Sequence, residues 1–76
     1  MSINKYKVRV GEQLRLERRM REFSQREAGE GVGVHAQTIM LSERGEVSLD
    51  ALYAYAAWLG LDWSKLTSVA LEMCDE

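Results

Sequence analysis

The sequence predicts an all-α protein, a compact bundle of about five helices. Three observations carry that expectation. No proline occurs in the 76 residues, so nothing forbids long helices. Apolar residues recur at three- and four-residue spacing in several segments. The segments are bounded by helix punctuation: Ser24 with Glu27 three residues on, then Gly33, Gly45 and Gly60. A chain of this length makes one domain and buries only about 60% of the surface its unfolded form exposes, so a second copy is an expected source of stability.

The first element is the ambiguous one. Lys5-Tyr6-Lys7-Val8-Arg9-Val10 alternates basic and apolar residues, the period of a strand with Tyr6, Val8 and Val10 on one face. Residues 1–9 therefore read as a basic N-terminal arm or a short strand paired across a dyad. From Gly11 to Glu22 strong helix formers take over, with Leu14, Arg18 and Arg21 on one face and Phe23 as a core anchor. Ser24 is an N-cap candidate, with Glu27 completing a capping box, for a short helix from Gln25 that is weakened by Gly29 and Gly31 and stops near Gly31 to Gly33. His35 to Arg44 is a third helix, stopped by Gly45. Ser48 or a nearby residue caps a fourth, in which Leu49, Leu52, Tyr53, Ala56 and Leu59 recur, and Gly60 ends it. Asp62 or Ser64 starts a fifth with Trp63, Leu66, Val69, Ala70 and Met73 apolar. Residues 68–76 are the end of that helix and an acidic tail.

Composition narrows function. Apolar residues at 46% and charged residues at 29% are ordinary globular values. No apolar run reaches the roughly 18 residues of a membrane span, and the basic N-terminus lacks the apolar core of a signal peptide. One cysteine, Cys74, cannot form an internal disulfide, and one histidine, His35, does not make a metal site with it. The expected compartment is the cytoplasm. The net charge of −2 hides an asymmetry. Residues 1–26 hold eight basic side chains against three acidic ones, while residues 27–76 hold two against nine. Such a split suggests one face for a polyanion and another kept from it, or two surfaces that attract each other within the fold. With a single imidazole and no glycine-rich loop after a strand, no catalytic constellation is assembled, so no enzyme and no cofactor are expected.

The informative stretch is Ser24 to Gly45. A helix, a turn holding Gly33 and a second helix make a helix-turn-helix, with Gly29 as the small residue where the helices approach and Ala28, Val32, Val34 and Ile39 facing the apolar centre. The order Ser24-Gln25, Ala28-Gly29, Val32-Gly33-Val34, Thr38-Ile39, Glu43-Arg44-Gly45 resembles the Cro/CI-type helix-turn-helix (XRE) family of phage repressors and bacterial regulators. Gly11-Glu12-Gln13-Leu14-Arg15 with Arg18 looks like that family's first helix, and Leu59-Gly60-Leu61-Asp62 like part of its close. The resemblance covers residues 10–67, the expected DNA-binding domain.

What the resemblance implies is specific. The helix from His35 lies in the DNA major groove. Ala36, Gln37 and Leu41 match positions that face base edges, and His35, Thr38 and Met40 match positions near the backbone or groove wall. Gln25 touches a phosphate, and Arg44 belongs to the same DNA-binding set. Only Gln37 among the base-facing three carries a donor and an acceptor, and bidentate pairing with adenine is its natural contact. Arg18 and Glu43 are implied to pair across the core. Ser42 stands where the family has a large apolar residue and Ala28 where it has leucine, so compensation is expected from Met40 or from an aromatic of the fourth helix.

The function so implied is that of a sequence-specific transcriptional regulator, a repressor, binding double-stranded DNA as a homodimer on a two-fold operator in a bacterial or phage setting. The rival from another class is a protein-interaction module, antitoxin-like or anti-repressor-like, built on a degenerate helix-turn-helix. Its support is the acidic overall charge and the apolar Met40 and Leu41, which suit a regulatory protein partner.

Overall fold

The computed structural model describes residues 3–74. Asp75 and Glu76 of the acidic tail lie outside the described residues, as does the side chain of Cys74. Five helices follow in order: α1 (Ile3–Met20), α2 (Gln25–Val32), α3 (Ala36–Glu43), α4 (Leu49–Trp58) and α5 (Trp63–Cys74).

The reading of residues 5–10 as a strand or extended arm is overturned. They are the first turns of α1, which starts eight residues before Gly11. The alternation is real, but Tyr6, Val10 and Leu14 also stand at i, i+4 and i+8, and a helix satisfies its own backbone where a lone strand has no ladder partner. Val10 and Leu14 are fully buried, and Tyr6 packs against the core from one turn earlier.

Every turn after a helix is made in the same way. The N–H of Phe23 bonds the carbonyl of Arg18, Val34 that of Gly29, Glu46 that of Leu41, and Leu61 that of Ala56. Each is the six-to-one bond of a Schellman turn, which needs a left-handed residue just before its donor. Gly33, Gly45 and Gly60 supply it at three ends with φ of 91°, 76° and 75°. At the fourth end Glu22 does so with φ 61°, against its own preference. The starts are as regular. The Ser24 hydroxyl accepts from the Glu27 N–H while the Glu27 carboxylate accepts from the Ser24 N–H, closing the capping box. Ser48 caps α4 through the Ala51 N–H. Asp62 accepts from the N–H groups of Ser64 and Lys65 and so opens α5.

The core gathers Val10 and Leu14 of α1, Ala28 of α2, Ile39 of α3, Leu52, Tyr55 and Ala56 of α4, Leu59, and Leu66 and Ala70 of α5. Tyr53 and Leu49, expected on the buried stripe of α4, are exposed instead, and Tyr55 takes the interior position. Residues 52, 55, 56 and 59 carry the same helical spacing as the expected stripe, and of the two tyrosines the one buried is the one whose hydroxyl finds a partner, Glu43. Phe23, expected as a core anchor, stays 36% exposed and leans on Trp58 with ring centroids 5.0 Å apart.

Two helices meet at backbone distance. A Cβ at Gly11 would come within 2.7 Å of the Glu43 carbonyl oxygen, and one at Gly45 within 2.6 Å of the Val8 nitrogen. The long first helix is therefore seated on the last turn of α3. Ser42 is fully buried, its backbone lies at this contact, and its hydroxyl donates to the Thr38 carbonyl at 2.7 Å. The aromatic of α4 that turns inward is Tyr55, and its hydroxyl reaches Glu43, next to Ser42 in the chain.

Candidate nucleic-acid interface

α2 and α3 are joined by the turn Gly33-Val34-His35, and they approach so closely that a Cβ at Gly29 would meet the Val34 carbonyl oxygen at 2.7 Å. α3 turns Ile39, Ser42 and Glu43 inward. On the opposite side, Gln37, Met40, Leu41 and Arg44 share a stripe at spacings of three, four and seven residues. Gln37 and Arg44 are exposed, Met40 and Leu41 half-buried. The short helix thus presents one polar side chain at its start, an apolar middle and a cation at its end.

The remaining expected site residues spread around that stripe. Ala36 is half-buried in the first turn. His35 is exposed at the N-cap position and makes no capping bond with its ring. Thr38 is half-buried. Arg44 makes an exposed ion pair with Glu46 at 3.3 Å. Gln25 departs from expectation in its orientation. Its amide nitrogen donates inward to Glu43 at 3.1 Å, which leaves one N–H for anything outside.

Glu43 organises this region. Arg18 donates to it twice, from Nε at 2.6 Å and from Nη2 at 3.2 Å, which is the pair the resemblance implied. Gln25 and the Tyr55 hydroxyl donate as well. One carboxylate thus ties α1, the start of α2 and α4 to the end of α3. Burial pushes its pKa up, but the hydrogen bonds from Arg18, Tyr55 and Gln25 and the Arg18 charge outweigh this and hold it below the usual value. The hydrogen bond to Glu43 raises Arg18 against the opposing effect of burial. Burial and then Glu43 itself push the Tyr55 phenol well up. All three groups therefore keep their protonation states through the neutral range.

Two residues of the region escaped the sequence reading. Tyr55 was hidden by its neighbour Tyr53, although its spacing to Leu52 and Leu59 was available as a signal. Arg15 stood in the first-helix order Gly11-Glu12-Gln13-Leu14-Arg15, but nothing there marked it for a site. It lies beside an open groove of about 560 Å³ lined by Arg15, Arg18, Gln25, Met40, Glu43 and Arg44.

No group of three or more potential metal-ligating side chains lies together among the described residues, and no helix among them is long and apolar enough to cross a membrane. Comparison with models of protein families, with curated proteins and with solved structures gave no match.

Proposed function

We propose that the protein is a sequence-specific DNA-binding transcriptional regulator, a repressor that acts as a homodimer with α3 in the major groove. The observation that carries this reading is the division of α3. Its inner face is held rigidly by Ile39, Ser42 and the four-donor Glu43, while Gln37 stands exposed on the outer stripe with Arg44 two turns on. A reading helix needs both properties, fixed orientation and a free bidentate side chain.

Dimerisation sets two such helices about 34 Å apart, one turn of duplex. With residues 3–10 helical, strand pairing across a dyad is removed as a route. A second route is the apolar face of α5 around Trp63, Leu66 and Met73, but it is partly spent, because Leu66 is buried in the monomer. Leu49 and Tyr53 on α4 and Leu71 on α5 remain exposed, and Tyr53 and Trp63 meet edge to face at 5.4 Å. This α4–α5 face is the proposed dimer surface. The proposed setting is the bacterial cytoplasm, for a protein encoded by a bacterium or a phage.

One feature favours the rival, a protein-interaction module: Met40 and Leu41 put apolar surface at the centre of the α3 stripe. Selection from a pool of random duplexes separates the two. Recovery of a two-fold symmetric sequence, bound with an affinity that falls steeply with salt, supports the regulator. Failure to enrich any sequence, with only weak salt-insensitive retention, transfers the function to a protein partner.

A further inference from the structure

In α1 and the turn after it, three arginines are each matched with a carboxylate: Arg9 with Glu12 at 3.1 Å, Arg18 with Glu43 at 2.6 Å and, just past the helix end, Arg21 with Glu17 at 2.6 Å. Arg15 is exposed and has no such partner among the described residues. It belongs to the flank of α1 that borders α3, and it lines the open groove whose other wall is Met40 and Arg44. Met40 and Arg44 are also members of the outer stripe of α3 that begins with Gln37. The groove is therefore continuous with the face assigned to DNA, and two arginines from different helices stand at its sides.

We infer that this groove is a phosphate clamp in which Arg15 of α1 and Arg44 at the end of α3 hold one phosphodiester of the duplex lying against α3. The assignment rests on the DNA-binding reading of that helix and adds to it a grip by the first helix. Three features fit an oxyanion. The only carboxylate lining the groove, Glu43, already accepts from Arg18, Gln25 and Tyr55, so its charge is compensated. The Arg44 pairing with Glu46 is solvent-exposed, and such pairs are weak enough to give way to a phosphate. Guanidinium groups offer paired N–H donors that match two phosphate oxygens at once.

The test uses the full chain and R15Q, R44Q and R21Q variants, with folding checked by circular dichroism. Arg21, paired with Glu17 away from the groove, is the charge-matched control. Binding to a mixed-sequence duplex should weaken for R15Q, and its salt dependence should become less steep by about 1 on a log–log plot. R21Q should follow the unsubstituted protein. On a set of duplexes carrying one neutral methylphosphonate each, R15Q and R44Q should both lose their sensitivity at the same phosphate. Inorganic phosphate should displace the duplex no better than chloride at equal ionic strength. A wild-type salt slope and methylphosphonate pattern in R15Q overturns the clamp and leaves the reading of α3 standing. Strong displacement by inorganic phosphate that R15Q abolishes assigns the groove to a free oxyanion and also overturns it. Absence of any duplex binding by the unsubstituted protein removes both readings together.

Discussion

The Glu43 carboxylate accepts from three side chains on three different elements, and each donor is stranded if its charge is removed. Glu43→Gln keeps the shape but loses the anion and sets an amide N–H₂ against Arg18. Breaking a buried pair from one side costs about 3–5 kcal/mol, a large part of the roughly 5–15 kcal/mol that holds a small domain together. The melting temperature of Glu43→Gln should fall by at least about 12 °C. A fall within a few degrees would mean that Arg18 and Tyr55 find water instead. At the surface the consequences are functional. Gln37→Ala should flatten preference at one base pair in each half-site, worth about 1–3 kcal/mol, and leave non-specific binding unchanged. Gln25→Ala should weaken specific and non-specific binding alike, because it removes the proposed phosphate donor together with a donor to Glu43. A titration of both variants against a selected operator, its single-base variants and random duplex checks the pair. Unchanged base preference in Gln37→Ala would move the protein-interaction reading ahead.

Among the helices and turns, the four Schellman ends make a natural experiment. Three have glycine at the left-handed position and one has Glu22. A non-glycine residue there costs about 1–2 kcal/mol, so Glu22→Gly should raise the melting temperature by several degrees. Gly45→Ala should do the opposite and more, since it meets both the φ penalty and the α1 backbone at 2.6 Å from Val8 N. Calorimetry on the two variants checks both signs; a Gly45→Ala protein as stable as the parent would show that α1 can shift off α3 at little cost. These ends also explain what the sequence made legible. Ser24 with Glu27, Ser48, Asp62 and the three stop glycines act through bonds within a few residues, and each was readable in place. Residues 5–10 were not, because periods of two and of 3.6 both fit a six-residue segment, and what separates them lies outside it: the core that Tyr6 and Val10 join, and the seat against Gly45 that Val8 occupies. Tyr55 was concealed for the same reason: which tyrosine of α4 turns inward depends on Glu43, a partner on another helix. At the interface, the order of motif residues led to Gln37 and to the Arg18–Glu43 pair, but the inward turn of Gln25 and the position of Arg15 beside a groove arise only when α1, α2 and α3 are assembled.

Over the whole molecule, the same hub sets the pH range of stability. The folded-state pKa of Glu43 is lowered, so its contribution is complete above the ordinary value of 4.5 and is lost as the pH falls through the folded-state value. The Tyr55 phenol is raised, so its contribution is complete below the ordinary value of 10.0 and is lost as the pH rises beyond it. Stability should therefore be level from about pH 5 to 9 as far as this hub is concerned, with an acid limb that Glu43→Gln flattens and an alkaline limb that Tyr55→Phe flattens. Melts across pH read both; an acid limb equally steep in Glu43→Gln would place the responsible carboxylates elsewhere. The seating of α1 on α3 through Gly11 and Gly45 has a consequence in time as well as in energy. Amide protons of the buried turns of these two helices should exchange with solvent at one common, slowest rate, governed by global opening, whereas those near the end of α5 should exchange through smaller fluctuations. The α3 face proposed to read DNA would then stay ordered through every sub-global opening, while the rim carrying the proposed dimer contacts breathes, so that association would steady the rim and leave α3 as it was.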